Sequence, residues 1–421
     1  MVQRPIIPAV VSQHLEDACS LRAVRSVLVR APHVKLLHLG RADERLAAHL
    51  DGLSVAGDDG VRLSQAALEE PNVGALFVAV VLAIQRRDMA QMERLLALVG
   101  VVPDAARALA SALGWVPAPL LRGITAPLLG SANPVHRFVG LAACALHRVD
   151  PGAALAAAVE HPDPRLRARA LQLAGELGRV DTLPGCMACL ADEDAACRFA
   201  AARSAVLLGD RGAAWQVLAE LAMQPGPRQD SALALALLSA QPDAARAMVS
   251  QLVAQQAPFR TVLKAAGWSG DAQVMPWVFK HLADDRFARL AGEAFSFISG
   301  ADLALLSLER VPPEQAEGGP TDDPDDDNVA MDEDESLPWP DLAKVQAWWQ
   351  AHRAGMPGQA CFAGAPPGRA HCVEVLEQHP QRRRFAAALH LSLAQPGTPL
   401  FNCAAPAHRQ RRLLTALRGA G

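Results

Sequence analysis

A block of about thirty residues recurs along the middle of this chain, and no other feature restricts its fold as much. The recurring segments read "NPVHRFVGLAACAL" from 133, "DPRLRARALQLAGEL" from 163, "DAACRFAAARSAVLLG" from 194 and "DRFARLAGEAFSFISG" from 285. Each opens on Asp or Asn and carries Arg four residues later: Asn133 with Arg137, Asp163 with Arg167, Asp194 with Arg198, and Asp285 with Arg289. The arginines stand 30, 31 and 91 positions apart, and the last interval is about three periods. A weaker unit, "RQDSALALALLSA" from 228, fills part of it. Self-similarity at this period predicts stacked helix pairs that bury a continuous core only against their neighbours.

The physics of the motif is local. Asp163 and Asn133 are placed to cap a helix, with Pro164 and Pro134 at the first helical position, where no amide hydrogen is missed. Leu166, Ala170, Leu173, Ala174 and Leu177 follow at helical spacing and predict one apolar face. Gly178, Gly209 and Gly300 stand at the helix stops, and Asp181 is expected to begin the second helix of its pair. The Asp/Asn and Arg positions form a structural ladder that ties one repeat to the next.

Composition agrees. Half of the 421 residues are apolar, yet only 4% are aromatic and none is Tyr. So few large rings suit many thin Ala/Leu helix pairs better than one bulky core. The fold class expected is all-α: a right-handed α-solenoid with a helical C-terminal cap. Residues 1–60 read as a helical lead-in, 61–308 as the solenoid, 309–341 as an acidic linker and 342–421 as the basic cap. The formal charge of −4 is distributed in blocks: 1–308 is neutral, 309–341 sets thirteen acids against Arg310, and 342–421 sets ten bases against Glu374 and Glu377. A neutral repeat region argues against nucleic acid as partner. The opening residues lack a secretory leader, no apolar run is long enough to span a bilayer, and eight scattered Cys fit reduced thiols; a cytoplasmic protein without membrane insertion is expected.

Chemistry-bearing motifs are sparse. Cys186 and Cys189, with Cys197 downstream, have zinc-compatible spacing but lack a second pair, and they fall on a helix where Cys serves as a small core residue. No nucleophile elbow, phosphate loop or paired-His motif is present. No catalytic, metal or cofactor residue is therefore assigned. Residues 320–341 hold ten carboxylates without a base, lack the turn glycine of a calcium loop, and read as a tether pinned by Trp339, itself a candidate for partner binding. On the helix after it, Leu342, Val345 and Trp349 share a face, so one indole is core, and Trp348 is either core as well or an anchor for a partner. The clusters Arg382, Arg383, Arg384 and Arg409, Arg411, Arg412 allow three readings: phosphate contact, pairing with the acidic run, or a solvated face.

The Asp-Pro-x-x-Arg…Leu-Gly pattern resembles HEAT-like repeats over about 125–305, in the short form seen in bilin-lyase-type repeat proteins. Further blocks extend a likeness over most of the chain: "DERLAAHLDGL", "LGW", "AWW", "RRRFAAALHLSL", "PLFN" and "RQRRLL". With the acidic run, they resemble a poorly characterised proteobacterial family of HEAT-like proteins, some associated with type VI secretion loci. That resemblance transfers no catalytic residue. It implies a non-catalytic scaffold for another protein, a secretion component or effector, acting as adaptor, chaperone or immunity protein. The alternatives are a nucleic-acid-binding protein of the DNA glycosylase type and a bilin-lyase-like enzyme.

Overall fold

The computed structural model describes residues 6–313, 332–358 and 360–419. The chain divides into two compact units, Met1–Asp210 with Gln395–Ala420, and Arg211–Ala394. These limits fall elsewhere than the sequence boundaries. The stretch expected to form one C-terminal cap contributes to both units, and apolar residues from Val11 to Ala56, within the expected lead-in, share a core with the first repeats.

In the first unit the inner helices are Val73–Arg86, Ala105–Trp115, Pro134–His147, Pro164–Leu177 and Ala195–Leu207, each packed on the next. Their starts recur at about the thirty-residue period of the sequence. Shorter outer helices such as Met89–Ala97, Ala153–Val159 and Leu183–Ala188 complete the pairs. The Val73–Arg86 helix is buried continuously from Gly74 to Ile84, so its sequence is apolar all round. Pro8–Leu28 packs on it, and Val11, Leu15 and Leu21 join the same core.

The predicted caps form. Asn133 accepts from Val135 N at 2.9 Å, Asp163 from Arg165 N and Leu166 N at 2.9 and 3.0 Å, and Asp194 from Ala196 N and Cys197 N at 2.8 Å. The apolar face from Leu166 to Leu177 is buried. Asp181 does not cap: Arg179 holds its carboxylate, a 3-10 turn spans Val180–Thr182, and the helix starts at Leu183.

The second unit repeats the pattern with inner helices Gln229–Ser239, Phe259–Ser269 and Ala288–Ser299, which fill the long interval in the sequence. Here the register of the motif slips. The last of these helices begins at Ala288, and Asp285 pairs with Arg310 instead of capping it. Leu342–His352, Arg369–Gln378 and Gln381–Ala394 complete the unit.

Extended segments run across the C-terminal ends of the inner helices within each unit. In the first, Leu400 N donates to Glu176 O at 3.0 Å, while Arg148 Nε donates to Leu400 O at 2.7 Å. Asn402 Nδ2 donates to Leu146 O at 3.1 Å, and Ala407 N to Asp43 Oδ2 at 2.6 Å. In the second, Cys361 N donates to Gly270 O and Ala363 N to Phe297 O, both at 2.8 Å. The helix-ending carbonyls that lack intrahelical partners are satisfied by these straps.

Candidate functional site

Three guanidinium-bearing helices of the first unit converge on one cavity of about 930 Å³. Arg22 and Arg25 stand one turn apart on Pro8–Leu28 and project together. Arg107 lies in the first turn of Ala105–Trp115, and Arg165 and Arg169 lie four apart on Pro164–Leu177. Arg148, in the left-handed conformation after Pro134–His147, completes the wall. Phe77, Trp115 and Phe138 supply the apolar surface between them.

Charge is compensated unevenly around this wall. Arg25 Nε reaches Asp43 Oδ1 at 2.5 Å. Glu176 Oε2 accepts from Arg169 at 2.7 Å and from Arg148 at 3.3 Å, and its Oε1 accepts from Gln172 at 2.9 Å. Burial pushes the Glu176 carboxyl up, but Arg169, Arg148 and Arg203 outweigh it and hold the group below its ordinary range. Arg22 has no such partner. It is 7% exposed, lies over the Phe77 ring at 5.8 Å, and its buried Nε meets no acceptor. Burial first, then Arg107, Arg25 and Arg30, lower its pKa.

The Arg ladder serves structure, with partners other than those the motif suggests. Arg167 grips Asp192 with two bonds of 2.7 and 2.9 Å and bonds His161 O at 2.7 Å, leaving Asp163 to its cap. Arg198 bonds Asp192 O and Glu193 O at 2.6 and 2.9 Å. Arg289 reaches Asp332 at 2.5 Å. The Arg137 amide donates to Asn133 O at 3.2 Å within the first turn.

The acidic run binds inward where it is described. Arg260 grips Asp334 with bonds of 2.7 and 2.8 Å, and Glu333 adds a third at 3.0 Å. Trp339 lies between two cations, with Arg289 at 4.8 Å and Arg310 at 5.2 Å from its ring centroid. Both contacts lie within the second unit. Of the acidic linker expected over 309–341, residues 314–331 lie outside the described residues.

The first basic cluster and Arg409 of the second are likewise engaged. Arg384 is fully buried, donating to Leu376 O at 2.6 Å and to Gln381. Arg383 bonds His379 Nδ1 at 3.1 Å, and Arg382 pairs with Glu293. Arg382, Arg383 and Arg384 therefore do not form a basic face, because turns of one helix point them at carbonyls and a carboxylate inside their own unit. Arg409 reaches Leu146 O and Val116 O, both at 3.4 Å, and burial pushes its pKa down to about 10. Arg411 stands 3.9 Å from Glu44, and Arg412 is exposed. Trp349 is buried against Phe279 and Phe295, while Trp348 stacks on His352 at 4.1 Å.

The Cys186 thiol is buried, and burial pushes it up to about 12. Among the described residues no group of three His, Cys, Asp or Glu side chains gathers to hold a metal ion, and no helix is long and apolar enough to cross a membrane.

The cavity arginines were not separable in the sequence, since Arg22, Arg107 and Arg165 are distant and each looks like an ordinary surface charge. Residues 152–238 match the family model described as HEAT repeats. No curated protein and no solved structure gives a significant match. The period, the capped inner helices and this match over residues 152–238 are those of an all-α solenoid containing HEAT-like repeats.

Proposed function

We propose that the chain is a non-catalytic scaffold that binds another protein. The observation that carries this reading is the large cavity, walled by guanidinium groups and flanked by exposed repeat surface, on a fold whose stacked helices present side chains without enclosing them. Arginine is enriched where protein surfaces meet, because its planar fork pairs with carboxylates and its stem covers apolar area. The resemblance to proteins associated with type VI secretion supports a bacterial, cytoplasmic setting, with a secretion component or effector as the partner. Adaptor, chaperone and immunity roles all fit that setting.

Affinity purification of the tagged chain from its native host, followed by mass spectrometry, tests this function. A discrete protein recovered in stoichiometric amount is the expected result; recovery of none in mild salt counts against it. The arginine wall also favours a second reading, nucleic-acid binding. That reading predicts a salt-sensitive gel shift lost when Arg107 and Arg165 become Glu.

A further inference from the structure

We propose that the arginine-walled cavity receives an acidic, extended segment of the partner protein, one carboxylate of which reaches Arg22. The inference rests on the scaffold function above and names the chemistry of what that scaffold holds.

Arg22 carries most of the argument. A guanidinium that is 7% exposed, with a buried Nε lacking an acceptor, loses hydration without gaining a counter-charge. After burial itself, the charges that act on it are those of Arg107, Arg25 and Arg30, all of its own sign. Of the arginines that line the cavity, Arg25 is already held by Asp43, which is not part of the lining, and Arg148 and Arg169 are held by Glu176 on the wall. Among the described residues Arg22, Arg107 and Arg165 form no ion pair, and Asp104 is the other carboxylate on the wall. An oxyanion beside Arg22 would satisfy the orphaned donor and relieve the repulsion at once.

The lining selects carboxylates on a peptide over a nucleotide or a nucleic acid. Base recognition needs open ring faces for stacking. Phe77 is 1% exposed under Arg22, and Arg25 covers Trp115 with its guanidinium 5.6 Å from the ring centroid. Val101, by contrast, is 76% exposed on the same wall and offers apolar contact beside the arginines. A segment that alternates acidic and aliphatic side chains matches both surfaces. The volume of about 930 Å³ exceeds what a lone phosphate fills and suits several residues of peptide.

Fluorescence anisotropy with a labelled decapeptide of repeating Glu-Asp-Leu tests the assignment on the full chain. The wild type should bind it with an affinity that falls as salt rises. The pair Arg107→Glu and Arg165→Glu, both exposed, should weaken binding about tenfold or more, as should Arg22→Gln. The rim pair keeps the test valid if Arg22→Gln does not fold. Equal binding by the rim variant and the wild type overturns the proposal, as does a labelled ten-nucleotide DNA that binds more tightly than the peptide. If the host partner is still captured by a rim variant that has kept full affinity, the cavity assignment falls while the scaffold function stands. Failure to capture any partner removes the scaffold function itself.

Discussion

Gly178 stands against Gly397 so closely that a Cβ on it would lie 2.4 Å from the Gly397 carbonyl oxygen. The φ of Gly178 is +68°, so the residue both ends its helix and admits the strap. Gly300 does the same for Ala363, again with 2.4 Å between a hypothetical Cβ and the carbonyl oxygen. A glycine stop in this fold is thus a docking point as well as a terminator.

Gly178→Ala should therefore cost more than backbone strain. Gly123 has a φ of +82° and open space around it, so Gly123→Ala should cost about 1 kcal/mol from conformation alone. Gly178→Ala adds a clash with backbone and should cost roughly 2–4 kcal/mol. Chemical denaturation of the two variants should separate these values; equal losses would mean the strap does not press on the helix end.

Arg167 and Asp192 set part of the acid limit of the first unit. The Arg167 hydrogen bonds hold the Asp192 carboxyl below its ordinary value of 3.8, against burial. A depressed folded-state value contributes stability that is present above the unfolded value and lost as pH falls below about 4. Arg167→Ala should cost about 1–3 kcal/mol at neutral pH and flatten the acid unfolding slope below pH 4. Unfolding midpoints at pH 7 and pH 3 would read both effects.

His390 should give a second, earlier limb. Its Nε2 is buried without an acceptor, its ring lies 4.9 Å from Phe362, and burial pushes its pKa down to about 4. The unfolded chain takes up this proton near pH 6.5 and the folded chain does not. Stability is then full above pH 6.5 and declines toward pH 4, by roughly 2–3 kcal/mol. His390→Leu should abolish this decline, as monitored by thermal unfolding between pH 7 and 4.5.

Arg384 and Arg412 look alike in the sequence and should behave differently. Arg384→Ala leaves a void and removes the donor to Leu376 O, and should destabilise the second unit by about 3–5 kcal/mol. Arg412→Ala, on an exposed side chain, should change stability by less than about 0.5 kcal/mol. Differential scanning calorimetry on the two variants checks the contrast.

Trp339→Ala should loosen the end of the acidic run. It removes two cation contacts, each worth about 0.5–2 kcal/mol. Arg310 N donates to Trp339 O at 2.8 Å, and Asp341 N donates to Leu308 O at 2.8 Å. Faster hydrogen exchange at Arg310 and Asp341, with the inner helices unchanged, is the expected pattern.

What the sequence made legible was local. Caps at Asn133, Asp163 and Asp194, the buried face of Pro164–Leu177 and the thirty-residue period all arise from interactions within a few residues. Partners distant along the chain were not legible. Nothing near Arg167 marks Asp192 rather than Asp163 as its partner, and nothing near Leu400 marks Arg148 or Glu176. The neutral count over 1–308 also concealed the cavity, because acids that balance Arg22, Arg107 and Arg165 in number stand elsewhere in space. The basic clusters misled for the converse reason, since a run of arginines says nothing about the carbonyls each will meet.

The strap also puts the first unit on a clock. Its helix ends at Leu146, Glu176 and Gly178 await residues that leave the ribosome after position 395. At about 5–20 residues per second, the intervening chain takes on the order of 10–40 s to make. During that interval Arg148 has no Leu400 carbonyl to hold, and the helix ends are open to water or to a chaperone. Ribosome-stalled chains cut short before 395 should accordingly be cleaved near these ends by protease, whereas the finished protein should resist.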